Sequence, residues 1–134
     1  MDKYFLFIVG LMYVGLGLWC SIDPVSTAEV VGFSLIGGHG QSEFLTVYGG
    51  WEVAIGIVFM FPMFRSDWLP YSLMVCLIMH GCLVVFRTAG FFVFDVDHQS
   101  TYNLAIGEWV IFLCCKAMYL ISKMNKARAN EKYV

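Results

Sequence analysis

Four apolar runs, separated by short polar breaks, dominate the chain. They cover about residues 4–22, 43–64, 68–89 and 101–121. Each approaches the ~20 apolar residues that an α-helix needs to cross the hydrocarbon core. None alternates polar with apolar residues, and a spanning barrel needs at least about eight strands, so helices are expected. The pattern predicts an all-α fold: an integral membrane four-helix bundle forming a single domain over residues 1–134. A short interfacial helix is expected between the first and second spans.

The breaks carry their own signals. "DPVSTAEVVGF" places Asp23 at an N-cap and Pro24 at the first helical position, predicting that interfacial helix over about 24–33. "SLIGGHGQ" reads as a Gly-rich turn, after which Ser42 can cap the second span. "RSDWLP" reads as a tight hairpin, and "FFVFDVDHQS" as the loop before the fourth span. The first run is long enough to span by itself and ends in Asp23-Pro24, so a cleaved signal peptide is not expected.

Composition narrows the class further. Of 134 residues, 60% are hydrophobic and only 13% charged, with a mean hydropathy of +0.74. A soluble domain of this size would need more polar residues to coat its surface. The five cysteines, Cys20, Cys76, Cys82, Cys114 and Cys115, all lie in apolar runs and read as small buried hydrophobes. The net charge of -2, without a basic stripe, speaks against nucleic-acid binding.

The distribution of charge predicts orientation. Lys3, Arg65, Lys123, Lys126, Arg128 and Lys132 fall at the termini or in the second loop. The first and third loops hold Asp23, Glu29, Asp95 and Asp97 but no Lys or Arg. By the positive-inside rule both termini are cytoplasmic, and the expected location is a bacterial inner membrane. Lys116, in the inner half of the fourth span, is expected to snorkel to the cytoplasmic interface.

Three ionisable groups remain within the outer halves of the spans: Glu52, Arg87 and Glu108. Glu52 and Glu108 lie at similar depth at ~1.5 Å per residue, and Arg87 can reach inward from the end of the third span. A lone charge at that depth costs a few kcal/mol, so the three are expected to face inward together. Arg87 either bridges both carboxylates or pairs with one and leaves the other protonated. Tyr48, one turn before Glu52, shares its face, and Tyr102 lies outward of Glu108. With Glu43, these residues form the candidate ligand-binding site or structural charge network; no catalytic residue and no metal ligand set is expected. His80 is expected to be a satisfied core histidine, and His39 and His98 occupy the outer loops. Gly10 and Gly17 repeat at the spacing of Gly49 and Gly56, which suits close packing of the first two spans and hints at a two-plus-two repeat.

"GLMYVGLGLWCSIDP", "SEFLTVYGGWEVAIGI", and an Arg late in the third span followed by a Glu in the fourth resemble one family over nearly the whole chain. It is domain of unknown function 4345, small bacterial four-helix membrane proteins of DoxX-like architecture. Its most specific part is carried by Glu43, Phe44, Val47, Tyr48, Gly49, Gly50, Trp51 and Glu52. The resemblance implies the fold and the choice of polar residues, and implies no reaction.

These features lead to a non-enzymatic membrane protein, without a cofactor, whose outward-opening polar pocket takes a lipid-like or small amphiphilic ligand. The lipid bilayer is its surrounding partner. One alternative is an accessory subunit of a membrane complex, or a homo-oligomer, in which the Glu/Arg network is purely structural. Another is a quinone-linked membrane oxidoreductase component.

Overall fold

In the computed structural model the backbone of residues 2–131 and the side chains of residues 2–124 are described. Among these residues the chain is helical, without a strand. The helices are α1 (Asp2–Ile22), α2 (Pro24–Val30), α3 (Gly37–Phe44), α4 (Glu52–Met60), α5 (Leu69–Val93) and α6 (Gln99–Glu131). A seven-residue π-helical turn, Leu45–Trp51, joins α3 to α4 without a break. Four segments are long and apolar enough to cross a membrane: Asp2–Ile22, Gly37–Met63, Ser66–Val93 and Gln99–Met124. They form the four-helix bundle of an integral membrane protein. Up-down connectivity brings the start of α1 and the end of α6 to one end of the bundle, the terminal end.

The local signals act where side-chain chemistry is strong. The Asp23 carboxylate accepts from the Ser26 N–H at 3.2 Å, and Pro24 opens α2. Thr27, one turn on, returns its hydroxyl to the Asp23 carbonyl at 2.7 Å. Two expectations need correction. The Gly-rich stretch is not a turn: α3 starts at Gly37, whose φ of +60 suits a glycine, and runs through the remaining glycines. Ser42 therefore lies inside the helix, where its carbonyl accepts the Thr46 hydroxyl, and it caps nothing. The aromatic start of the third loop is also helical, since α5 continues to Val93 before the chain turns extended at Phe94. Helix α6 runs ten residues past 121, through a tail rich in good helix formers. The side chains of Lys126 and Arg128, and all of Lys132, lie outside the described residues.

Glycines set how α1 meets the second span. A Cβ on Gly10 would stand 2.6 Å from the Gly56 carbonyl oxygen, and one on Gly17 would stand 2.7 Å from that of Gly49. Reciprocally, a Cβ on Gly56 would approach the Gly10 carbonyl to 2.7 Å. The four glycines thus form two backbone-to-backbone contacts, one below and one above Glu52, that no other residue permits. Ser21 seals the upper contact by donating to the Gly17 carbonyl at 2.7 Å. The second pair, α5 and α6, packs through larger side chains.

Two apolar clusters follow. Towards the terminal end, Leu6, Val9, Ile55, Phe59, Leu73, Cys76 and Cys115 interlock across all four spans. At the opposite end, Cys20, Ala28 and Phe44 form a smaller cluster that ties α2 to the bundle. There the Ser100 hydroxyl at the start of α6 also donates to the Val30 carbonyl at 2.8 Å. The candidate polar residues lie between these clusters.

Candidate functional site

Each spanning helix has a core stripe at helical spacing, and each stripe is interrupted by polar groups at one level. On α1 the stripe runs Leu6, Val9, Tyr13, Gly17, Cys20; on α4 it runs Glu52, Ile55, Phe59. On α5 it climbs through Leu73, Cys76, His80, Val84 to Arg87, and on α6 from Cys115 to Glu108 and Ala105. The spacing turns Tyr13, Glu52, His80, Arg87 and Glu108 inward.

Arg87 and Glu108 form a bidentate pair. Arg87 Nε and Nη2 donate to Glu108 Oε2 and Oε1, each at 2.6 Å. With 28% and 11% of their side chains exposed, the pair is sheltered, and the fork geometry fixes both side chains. Of the two arrangements open from sequence, the structure has Arg87 on a single carboxylate.

Glu52 stands apart. Its Oε2 is buried and has no hydrogen-bond partner among the described residues. Burying an oxygen without a partner costs about 1–3 kcal/mol, so this atom calls for an explanation. The π-helical turn ends at the residue before it. Such turns add a residue to the helical register, are rare, and recur at functional sites. Within the turn, Tyr48 stacks on Phe44 at 4.6 Å and meets Phe33 edge-on at 5.6 Å.

Sequence reasoning passed over Tyr13, which links the layer. Its ring stands edge-on to Phe59 and to His80, each at 5.7 Å. Its hydroxyl lies 3.1 Å from His80 Nε2, while His80 Nδ1 lies 2.9 Å from the Cys76 carbonyl. A carbonyl only accepts, so Nδ1 carries the hydrogen and Nε2 accepts from Tyr13. His80 is therefore a satisfied, fully buried histidine. The signal for Tyr13 was available: it is a phenol in the middle of the first apolar run.

The other candidates lie elsewhere. Tyr102 stacks on Phe91 at 5.1 Å and donates to the Val96 carbonyl at 2.9 Å, closing the third loop. Glu43 is exposed on α3, and His39 is exposed beside it. His98 meets the Ser100 hydroxyl at 2.6 Å on the surface. Lys116 is exposed on α6.

No curated protein and no solved structure matches this chain. The family model for a domain of unknown function, DUF4345, matches residues 1–119. That match takes in the first three spans and most of the fourth, with the "VYGGWE" stretch, Arg87 and Glu108, and the chain belongs to the DUF4345 family.

Proposed function

We propose that this protein is a non-enzymatic binder of a small amphiphile in a bacterial inner membrane, with Glu52 holding the polar head of its ligand. The observation that carries this reading is the buried, unpartnered Glu52 Oε2. Arg87 is already engaged by Glu108, which leaves room for a partner of Glu52 from outside the chain. Intramembrane acids that face a bundle interior mark ligand or ion positions. Lys3, Arg65 and Lys123 lie at the terminal end, which supports a cytoplasmic placement of that end and an outward placement of the Glu52 half.

Native mass spectrometry of gently extracted protein tests this reading. The wild type is expected to carry an amphiphile adduct, and Glu52→Gln is expected to lose it. A Glu52→Gln, Glu108→Gln double variant that retains every adduct overturns it.

A second reading, an accessory subunit of a membrane complex, is supported by α6. Along it Ile106, Trp109, Val110, Leu113, Leu120 and Ile121 are all exposed. Co-migration with larger subunits after gentle extraction supports that reading; a single small species counts against it.

A further inference from the structure

We propose that the exposed face of α6 towards the terminal end seats one phospholipid with a net-negative head group. Lys116 and Lys123 take its phosphate, and the apolar stripe beyond Lys116 takes an acyl chain. This site lies apart from Glu52 and does not depend on the amphiphile reading.

Trp109, Leu113, Lys116, Leu120 and Lys123 follow one another at alternating steps of four and three residues, the spacing of a single helix face. All five are exposed. Helix α6 packs chiefly against α5, and this stripe lies away from that contact, uncovered by the rest of the bundle. Its order matches that of a lipid molecule. Cations stand towards the end of the span, and a leucine and a tryptophan continue towards the mid-plane.

Charge distinguishes a lipid from a protein on this face. Among the described cations, Arg87 is held by Glu108, Arg65 by Asp67, and Lys3 lies over the Tyr4 ring. Lys116 and Lys123 have neither an ion pair nor a ring contact among the described residues. Lys116 stands two turns inside Gln99–Met124, a segment apolar enough to cross a membrane, and on its exposed side. A charge there is costly unless its stem carries it to the interface or a counter-ion meets it. A second transmembrane helix laid on the stripe would strip both ammonium groups of water and leave them buried unless it brought acids. A lipid phosphate at the interface neutralises them while its chain covers the apolar part of the stripe.

The spacing also suits one phosphate. Lys116 and Lys123 are about 10 Å apart along the axis, at ~1.5 Å per residue. Helical side chains lean towards the N-terminus of their helix, which favours Lys123 reaching back over Leu120 towards Lys116. Two flexible four-carbon stems can bring both ammonium groups to an anion in that interval.

Two lipids with identical acyl chains test the proposal: phosphatidylglycerol, which is anionic, and phosphatidylcholine, which has no net charge. Each is titrated into the full-length protein in neutral maltoside micelles, and the first bound lipid is counted by native mass spectrometry. The wild type is expected to prefer phosphatidylglycerol at least tenfold, each lysine contributing about fivefold. Lys116→Gln and Lys123→Gln are each expected to lose about fivefold, and the double variant to bind both lipids alike, with its helix content checked by circular dichroism. Lys3→Gln, at the same end, is expected to keep the preference. Equal affinities in the wild type overturn the proposal, and that comparison needs no variant. A preference that survives the double variant, or vanishes in Lys3→Gln, also overturns it, because the general positive charge of the terminal end then accounts for the selectivity. A protein that co-purifies on α6 and leaves no lipid preference overturns it too, and gives the face to a partner subunit.

Discussion

Arg87 grips Glu108 through both Nε and Nη2 at 2.6 Å and leaves Glu52, on the facing pair of helices, without a cation. Two carboxyls at similar depth thus have different circumstances. One belongs to a closed ion pair; the other has an open valence for hydrogen bonding.

That contrast separates a structural acid from a functional one. An apolar side chain in place of an unpartnered buried polar group is neutral or stabilising. Glu52→Leu is therefore expected to raise resistance to unfolding in mixed micelles, by about 1 kcal/mol or more, while abolishing amphiphile binding. Equilibrium unfolding with sodium dodecyl sulfate, followed by circular dichroism, measures the first. A marked loss of stability would assign Glu52 to the scaffold.

For the ion pair the sign is opposite. Arg87→Met leaves Glu108 sheltered and uncompensated, and is expected to cost about 3 kcal/mol. Adding Glu108→Leu to Arg87→Met should restore most of that loss. A double-mutant cycle on the same unfolding assay reads the coupling; additive losses would show that the two side chains do not act as a unit.

Removing the Tyr13 hydroxyl alone is expected to matter. Tyr13→Phe keeps the ring against Phe59 but leaves His80 Nε2 without a donor in a fully buried site. The expected cost is about 1–3 kcal/mol. In the nitrogen-15 spectrum of labelled His80, the Nε2 resonance should shift, since that nitrogen loses its donor while Nδ1 keeps the Cys76 carbonyl.

The glycines divide by what surrounds them. Gly17→Ala drives a Cβ to 2.7 Å from the Gly49 carbonyl oxygen, and is expected to cost about 1–3 kcal/mol by forcing α1 off the second span. Gly107→Ala meets nothing within 4 Å and is expected to stabilise α6 by about 0.5–1 kcal/mol. The pair of measurements tests whether the contact, and not glycine as such, is what the crossing requires.

How much of this was legible in the sequence follows from the range of each force. Spans were legible because hydrophobic length is counted residue by residue, and the start of α2 because Asp23 and Pro24 act within one turn. The Gly10–Gly56 and Gly17–Gly49 contacts were foreshadowed by matched spacings on two helices. The start of α3 was not, since tertiary packing holds a Gly-rich segment helical against its intrinsic preference. The π-helical turn left no residue signature distinct from an ordinary apolar helix. At the site, shared depth drew Glu52, Arg87 and Glu108 together as candidates. Which carboxyl Arg87 takes depends on how α4 and α6 are placed around α5, and no local rule encodes that. Tyr102 shows the opposite failure: depth placed it near Glu108, but its hydroxyl reaches back to the third loop.

The pairing of helices also bears on how the chain enters the bilayer. The second hairpin, α5 with α6, contains both Arg87 and Glu108, so it can cross as a unit with its charges already cancelled. The first hairpin contains both halves of each glycine contact, so α1 and the second span can meet before the later segments arrive. Each half can thus enter the bilayer as a hairpin, leaving the shared core of Leu6, Phe59, Leu73 and Cys115 to form on docking. Docking of the halves then encloses Glu52, a buried-edged acid that neither hairpin neutralises, so that assembly of the bundle and creation of the site are the same event.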